Sequence, residues 1–317
     1  RGGEDPALEA AARRDIETFI LLAELDWDQV LAEVGGKAPR GYGPVLANLP
    51  RWRGSSPFSF AELTEFYRAN GAGLFARHRA FLWEDGALCP VEQPDCPGAD
   101  EMLGYELQRN RVIANTRAML EGNLVNNVLL YGDSGTGKSA TVKNLLTLPG
   151  FEALRLIEVQ KEGLADLPRL IRTLGGRRLK FILFIDDLAF DQDDKTYSAL
   201  KTILEGGLER RPANVAVYAT SNRRRLVRQT FSDRAGDEVD ASETIQEKTS
   251  LSDRFGLRIP YLALNQAEFL ELVEGMAEQA GITLDRDSLR AEAVKWEMRN
   301  PGRTPRTAKQ FIASLSL

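Results

Sequence analysis

A glycine-rich segment between an apolar run and a helical pattern constrains this chain more than any other feature. Residues 132–139 read GDSGTGKS, follow the apolar run NVLLY and lead into a segment with helical spacing. The motif G-x-x-x-x-G-K-S/T in this setting is typical of a loop that wraps nucleotide phosphates. Its glycines bring backbone N–H groups close to a phosphate, and the following helix N-terminus favours negative charge. The sequence therefore predicts a phosphate-binding loop at the end of a β-strand.

Individual residues of this loop have distinct predicted roles. The Lys138 ammonium would bridge the β- and γ-phosphates, and the Ser139 hydroxyl would ligate Mg²⁺. The residues expected to surround the phosphates are Gly132, Asp133, Ser134, Gly135, Thr136, Gly137, Lys138, Ser139 and Ala140. The expected cofactors are therefore a nucleoside triphosphate and Mg²⁺.

Short runs of β-branched and apolar residues alternate with helical segments around this loop. The runs occupy residues 127–131, 154–159, 181–186, 215–221 and 257–262. Because they are apolar almost throughout, they predict strands that are buried on both faces, as in a parallel sheet covered by helices. We expect an α/β fold with a five-stranded parallel sheet.

Two acidic residues and an amide follow predicted strands. The run FILFI ends in Asp186 and Asp187, and the run VAVYATS is followed by Asn222. Because ligands of open α/β sheets bind beyond the carboxyl ends of the strands, we expect these side chains near the phosphate loop. Asp186 would hold Mg²⁺ through water, Asp187 would orient or deprotonate the attacking water, and Asn222 would reach the γ-phosphate or that water. The alternatives are a strand that runs into an acidic turn and an Asn that caps a helix.

The chain divides into three segments by pattern. Residues 1–100 are predicted to be a mainly helical region, residues 101–264 the α/β nucleotide-binding core, and residues 265–317 a C-terminal helical lid. The segments with helical spacing outside the core are residues 6–34, 60–67, 74–83, 267–279, 287–298 and 304–315.

The composition is that of an ordinary globular protein, with 43% hydrophobic and 27% charged residues and a net charge of -5. These values exclude collagen, disulfide-rich scaffolds and disordered chains. No apolar run reaches the roughly 18 residues that a membrane span needs, and the start lacks a signal-peptide pattern. We expect a cytoplasmic protein without a membrane partner. Since the first residue is Arg1 and not methionine, the sequence could be a fragment that lacks a segment before Arg1.

Few residues are available for zinc or histidine chemistry. Cys89 and Cys96 are the two cysteines and His78 is the sole histidine, so a four-ligand zinc site would need carboxylates. The segment CPVEQPDC is better interpreted as a loop with two free thiols. A Ser-His-Asp or Cys-His mechanism would depend on His78, which lies in a helical-looking segment far from any nucleophile motif.

Charge is distributed unevenly along the chain. Residues 1–100 carry 10 Lys and Arg against 16 Asp and Glu, a net of -6, whereas the rest carries 31 against 30, a net of +1. Neither part has the strongly basic balance of a dedicated nucleic-acid-binding domain. Local basic residues that could contact phosphates, or simply face solvent, are Arg177, Arg178, Lys180, Arg223, Arg224, Arg225 and Arg228.

The motifs together resemble those of a known superfamily. The segments GDSGTGKS, FILFIDD, ATSN, LSDRF and GRTPRTA occur in the order and with the intervals of the AAA+ ATPases. GRTPRTA is similar to the lid of Holliday-junction branch-migration motors, and LSDRF resembles the arginine-finger box of bacterial replication initiators. More narrowly, GYELQRNRVIANT, FIDDLAF and KTSLSDRFGL resemble a bacterial AAA+ family catalogued as domain of unknown function number eight hundred and fifteen. This narrower likeness covers about residues 88–317.

The resemblance implies roles for residues that charge alone does not single out. It implies ATP as the nucleotide, Arg254 as a finger that acts on a neighbouring subunit's ATP, and Arg306 as a lid residue that contacts the nucleotide. It also places Tyr105 where AAA+ proteins contact adenine, although a core role is an alternative. Gln160 could restrain the catalytic acid until a partner binds. One departure stands out: AAA+ proteins usually have Glu where this chain has Asp187, so slow hydrolysis is expected.

Three functions from different classes follow from these features. The first is an oligomeric AAA+ ATPase, in a ring or open assembly, that remodels or switches a protein or nucleic-acid partner. The second is a slow or non-hydrolysing ATP-dependent scaffold. The third is a helicase-loader-like ATPase that binds nucleic acid through residues 223–228. The charged segment at residues 229–250 is either a flexible loop or a partner-sensing insertion.

Overall fold

The computed structural model divides into two compact units, Arg1–Gly71 and Ala72–Leu317. The residues that it describes are 6–37, 45, 59–188, 200–201, 203–204, 211–222, 251–300 and 302–315. The basic run at residues 223–228 and the charged segment 229–250 lie outside these residues. No helix in the described ranges is both long and apolar enough to cross a membrane.

The N-terminal unit is helical where it is described. Its helices are α1 (Pro6–Glu24), α2 (Trp27–Lys37) and α3 (Phe60–Asn70). A capping box starts α3, since the Ser59 hydroxyl accepts from the Glu62 N–H at 3.2 Å and the Glu62 carboxylate accepts from the Ser59 N–H at 2.6 Å. These bonds satisfy two backbone donors at the helix start. The Ser59 N–H and hydroxyl both donate to the Glu62 carboxylate, and this lowers the pKa of Glu62.

A seven-stranded sheet forms the centre of the second unit. Its strands are β1 (Ala80–Glu84), β2 (Ala87–Val91), β3 (Val128–Gly132), β4 (Leu154–Val159), β5 (Lys180–Ile185), β6 (Val215–Ser221) and β7 (Leu257–Tyr261). Their order is β2-β1-β4-β5-β6-β3-β7. Every neighbouring pair is parallel except β1 and β2. The predicted α/β class is confirmed, and β3 to β7 are the five predicted strands.

The prediction of five strands was wrong because a β-hairpin extends the sheet. Helical spacing predicts a helix over residues 74–83, but the helix α4 spans only Leu74–Arg77 and β1 begins at Ala80. The turn residues Asp85 and Gly86 both have positive φ, 49° and 74°, as an Asp-Gly hairpin turn requires. The dipeptide Asp85-Gly86 between two apolar runs was therefore a sequence signal that the helical interpretation overlooked.

The hairpin also changes the setting of the cysteines and the histidine. Cys89 lies in β2, so the segment that begins with it is a strand at its start and not wholly a loop. Both cysteines are free and half-buried. His78 follows α4 (Leu74–Arg77) in extended conformation and is half-buried, so the helical placement predicted for it was wrong.

Two apolar layers cover the sheet, one on each face. Along β5, Phe181 and Leu183 contact one layer, whereas Ile182 and Phe184 contact the other. The first layer includes α7 (Leu167–Leu174), and the second includes α5 (Glu106–Leu120) and α6 (Lys138–Asn144). Each fully buried Phe or Ile stabilises the fold by about 1.5–3 kcal/mol. This two-sided burial explains why the central strands β3, β5 and β6 are apolar almost throughout.

Three helices at the C-terminal end pack around an apolar cluster of their own. They are α8 (Gln266–Gln279), α9 (Arg286–Arg299) and α10 (Pro305–Leu315), and they lie where amphipathic segments were expected. Asn265 caps α8 and Asp285 caps α9 through their side-chain oxygens. The domain limits at residues 100 and 264 remain predictions, with β1 and β2 lying inside the segment expected to be helical.

Replacing Glu274 with Gln should reduce the acid sensitivity of these helices. The Glu274 carboxylate accepts from Arg286 at 2.8 and 3.0 Å and also from Arg290, and these bonds lower its pKa from 4.5 to about 2. A lowered pKa contributes stability above pH 4.5 that is lost as the pH falls towards 2. Because Arg286 is exposed to solvent and Arg290 and Glu274 are only half-buried, solvent screens the interaction and we expect an effect below about 1 kcal/mol. Urea unfolding at pH 7, 4 and 3 measures it, with Glu278→Gln as control; equal acid slopes for Glu274→Gln and wild type would contradict the prediction.

Candidate functional site

A cleft of about 500 Å³ lies at the carboxyl edge of the sheet. It is bounded by the loop after β3, the ends of β5 and β6, the segment before α5, and α10. The predicted site residues that line it are Tyr105, Ser134, Gly135, Thr136, Gly137, Lys138, Ser139, Ala140, Asp186, Asp187, Asn222 and Arg306. Segments far apart in the sequence thus meet where a parallel sheet ordinarily binds its ligand.

Three glycines give the predicted phosphate loop its shape. Gly132, Gly135 and Gly137 have φ values of 134°, 77° and 88°, a region that residues with a side chain seldom adopt. A Cβ on Gly132 would lie 2.1 Å from the Tyr261 carbonyl oxygen, whereas one on Gly137 would meet no atom within 4 Å. Gly132 therefore permits close packing against β7, and Gly137 leaves open space at the start of α6.

Lys138 is buried at the base of the cleft, with 6% of its surface exposed. Its Nζ donates to the carbonyl oxygens of Gly132 at 3.1 Å and Asp133 at 2.6 Å, and to Asn222 Oδ1 at 2.9 Å. Burial lowers the pKa of Lys138, and nearby carboxylates, above all that of Asp133, oppose this. A cation is therefore held where a phosphate chain would lie.

Ser139 and Asp186 offer oxygen atoms side by side. The Ser139 hydroxyl donates to Asp186 Oδ1 at 2.6 Å, and the Thr220 hydroxyl donates to the same oxygen at 2.5 Å. A hydroxyl and an exposed carboxylate are the hard ligands that Mg²⁺ takes together with phosphate oxygens and water. Within the described ranges, no cluster of three or more His, Cys, Asp or Glu side chains forms a separate metal site. The donor set fits Mg²⁺ bound with a nucleotide.

Asp187 and Asn222 meet beside this pair. The Asn222 amide donates to Asp187 Oδ1 at 2.8 Å while its Oδ1 accepts from Lys138. Asp187 has φ of 49° and its N–H donates to the Thr220 hydroxyl at 2.9 Å. The structure thus joins Lys138, Asn222 and Asp187 in one chain of hydrogen bonds. Thr220 belongs to this site but was not predicted, because a threonine inside a strand carries no sequence signal of its own.

The C-terminal helices and the segment before α5 close the sides of the cleft. The Arg306 N–H donates to the Gly135 carbonyl at 3.2 Å, and its guanidinium donates to the Ser134 hydroxyl at 3.4 Å. Tyr105 stacks on Tyr261 with ring centroids 5.1 Å apart, and its hydroxyl donates to the Leu262 carbonyl at 2.6 Å. Burial raises the pKa of the Tyr105 phenol. Tyr105 is therefore both a packed residue and a wall of the cleft.

Asp133 has a contact that its predicted role does not include. Its carboxylate accepts from the Ala263 N–H at 2.6 Å, and its own N–H donates to the Tyr261 carbonyl at 2.8 Å. The Thr136 hydroxyl donates to the Asp133 carbonyl at 2.8 Å. The Asp133 side chain thus fastens the loop to the chain after β7.

Other candidate residues lie away from the cleft. Arg254 is half-buried shortly before β7 and does not line it. Gln160 is exposed at the end of β4. Arg177, Arg178 and Lys180 lie at the amino end of β5, opposite the edge that carries the cleft.

Comparisons with solved structures find proteins of low sequence identity. Thermotoga maritima RuvB, described as a Holliday junction branch migration motor, is 17% identical with a TM-score of 0.44, over 69% of this chain and 63% of that chain. Two RuvB point mutants are each 16% identical. One has a TM-score of 0.44 over 69% of this chain and 64% of that chain, and the other 0.45 over 69% and 63%. The chain thus spans slightly less than two thirds of the length of these structures.

A family model gives the more extensive match. No curated protein matches the chain. The model described as "Protein of unknown function (DUF815)" matches residues 76–316, a range that includes the whole sheet and every cleft-lining residue named above. The chain therefore belongs to this DUF815 family, in agreement with the AAA+ resemblance of its motifs.

Proposed function

We propose that this protein is an AAA+ ATPase that binds Mg-ATP in the cleft and hydrolyses it to ADP and phosphate. The observation that best supports this is the hydrogen-bonded chain from Lys138 through Asn222 to Asp187, with Ser139 and Asp186 beside it. A phosphate-binding cation, a metal-ligand pair and a carboxylate for the attacking water are the parts that phosphoryl transfer to water requires.

Each residue of the cleft would contribute one of these parts. Lys138 would exchange its bond with Asn222 for phosphate oxygens, which frees the Asn222 oxygen. Ser139 and Asp186 would hold Mg²⁺, which neutralises phosphate charge when bound. Asp187 would orient the attacking water and accept its proton. Arg306 would add positive charge beside the loop residue Ser134, which it already contacts.

Asp187 favours slow turnover in the absence of a partner. Its side chain is one methylene shorter than the Glu that is usual in AAA+ proteins, and its carboxylate is already engaged by Asn222 at 2.8 Å. A displacement of about 1 Å in a catalytic group can lower a rate on the order of a hundredfold. This observation also supports the alternative of a slow or non-hydrolysing ATP-dependent scaffold. The helicase-loader alternative depends on residues 223–228, outside the described ranges.

The position of Arg254 supports a site shared between subunits. Arg254 does not line the cleft of its own chain, and an arginine that completes an ATPase site from a neighbouring subunit can raise the rate by about 10³–10⁵. We therefore propose a homo-oligomer in which Arg254 acts on the neighbour's ATP. Its macromolecular partner would be remodelled or switched as ATP is bound and hydrolysed.

Mixing two inactive variants should restore activity. Arg254→Ala keeps a complete cleft, and Lys138→Ala keeps the arginine, so each alone should lose at least about a hundredfold in turnover. In an equal mixture roughly a quarter of the interfaces combine an intact Lys138 with an intact Arg254, and we expect that share of activity to return. ATP turnover per subunit, measured against protein concentration, tests this. If turnover per subunit did not change with protein concentration and the mixture stayed inactive, the oligomeric ATPase would be contradicted, and a monomeric switch or scaffold would be favoured.

A further inference from the structure

A single buried hydroxyl contacts both acidic residues of the cleft. Thr220 lies near the end of β6, pairs with Leu130 of β3, and is 2% exposed. Its Oγ1 donates to Asp186 Oδ1 at 2.5 Å and accepts from the Asp187 N–H at 2.9 Å. The hydroxyl therefore uses its donor on one acid and an acceptor lone pair on the backbone of the next.

The backbone of Thr220 holds the same turn. Its carbonyl oxygen accepts from the Leu188 N–H at 2.7 Å, so two successive N–H groups after β5 are bound by one residue of β6. Between them, Asp187 adopts φ of 49°, a left-handed conformation that is unfavourable for a residue other than glycine. The contacts with Thr220 offset this cost and aim the Asp187 side chain towards Asn222.

The bond to Asp186 also bears on the metal-ligand pair. Asp186 Oδ1 accepts from both Ser139 and Thr220, which restricts rotation of the carboxylate. Partners that orient a metal-binding carboxylate in this way typically change metal affinity or activity 10–100-fold when they are removed. Thr220 lines the cleft but is 2% exposed, and both polar contacts of its hydroxyl are with the two acids.

From these contacts we propose that Thr220 is a positioning residue, whose hydroxyl orients Asp186 towards Mg²⁺ and Asp187 towards the attacking water. This inference rests on the proposed ATPase function. It differs from a packing role, because a threonine that only fills space would be replaced without loss by valine, which has the same shape.

Three variants separate the hydroxyl from the shape of the side chain. Thr220→Val keeps the shape, Thr220→Ser keeps the hydroxyl, and Thr116→Val is a matched control. Thr116 is fully buried and its hydroxyl contacts the Val112 carbonyl and Tyr218, away from the cleft. Two quantities are measured: ATP turnover, and the Mg²⁺ concentration that half-saturates the enhancement of binding of a fluorescent ATP analogue.

For Thr220→Val we expect turnover to fall, and the half-saturating Mg²⁺ concentration to rise, by about tenfold or more. Analogue binding without Mg²⁺ should stay at the wild-type level. Thr220→Ser should recover both quantities to within about threefold, and Thr116→Val should change neither, since it removes a buried hydroxyl without touching the acids.

Two outcomes would overturn the proposal while the ATPase function stands. Either Thr220→Val matches wild type in both quantities, or Thr220→Ser loses as much as Thr220→Val, which would assign the effect to packing. A different result identifies failure of the underlying function: wild type would bind the analogue no better than Lys138→Ala does, with or without Mg²⁺, and both proposals would then fall.

Discussion

The Lys138→Ala variant is expected to turn over ATP at least about a hundredfold more slowly than wild type. The Lys138 ammonium is the buried cation at the base of the cleft, bound by two loop carbonyls and Asn222. In the proposed mechanism it stabilises the negative charge on the β- and γ-phosphate oxygens in the transition state, so its removal raises the barrier as well as weakening binding. Phosphate release at saturating and subsaturating ATP separates the two effects.

A matched control for this prediction lies on the same helix. Lys143, in the last turn of α6, does not line the cleft, so Lys143→Ala should retain turnover within about twofold. Removing Lys138 leaves the Gly132 and Asp133 carbonyls without its ammonium, and we expect a stability loss of about 1–3 kcal/mol as well. Turnover is therefore measured at a temperature well below the midpoint of thermal unfolding of each variant. Wild-type turnover in folded Lys138→Ala would contradict the assignment of the phosphate loop.

The Gly132→Ala variant should show the largest loss of stability, because the new Cβ meets backbone rather than a flexible side chain. The Cβ would lie 2.1 Å from the Tyr261 carbonyl oxygen, and that oxygen accepts from the Asp133 N–H at 2.8 Å. The φ of 134° adds strain. Strain and overpacking together should cost about 2–6 kcal/mol and displace the phosphate loop from β7. Urea unfolding and binding of a fluorescent ATP analogue measure both consequences.

Gly150→Ala isolates the part of this effect that comes from φ alone. Gly150 has φ of 82°, and a Cβ there would meet no atom within 4 Å. It should lose only about 1–2 kcal/mol and keep wild-type nucleotide binding. If the two alanine variants unfolded at the same urea concentration, close packing of Gly132 on β7 would not be a constraint on this fold.

Local signals account for the parts of the site that the sequence predicted. The strand, the glycine-rich loop and the helix are adjacent in the sequence. Lys138 and Ser139 could therefore be placed at the start of the helix without any knowledge of the sheet order. Asp186, Asp187 and Asn222 could be placed at strand ends because apolar runs end at them. Parallel sheets bring such ends to one edge, which is why these residues share the cleft.

The residues that were missed owe their position to partners distant in the sequence. Tyr261 reads as an ordinary strand residue, and only its stacking on Tyr105 and its contact with the phosphate loop place it at the site. The hairpin of β1 and β2 was missed for a different reason. Its strands are short, and the helical spacing of residues 74–83 favoured a helix over the Asp85-Gly86 turn. In the structure β1 pairs with β4 and with β2, which adds two strands to the sheet.

The sequence by itself determined the α/β class, the order of strand, glycine-rich loop and helix, and the acids at strand ends, because these follow from the local alternation of apolar runs, glycines and helical segments. Only the tertiary structure decided the seven-strand order and the contacts within the cleft. Lys138 meets Asn222 across 84 positions, and Thr220 meets Asp186 across 34. Neither contact leaves a local pattern, since each depends on the way the strands pair and on the left-handed turn at Asp187.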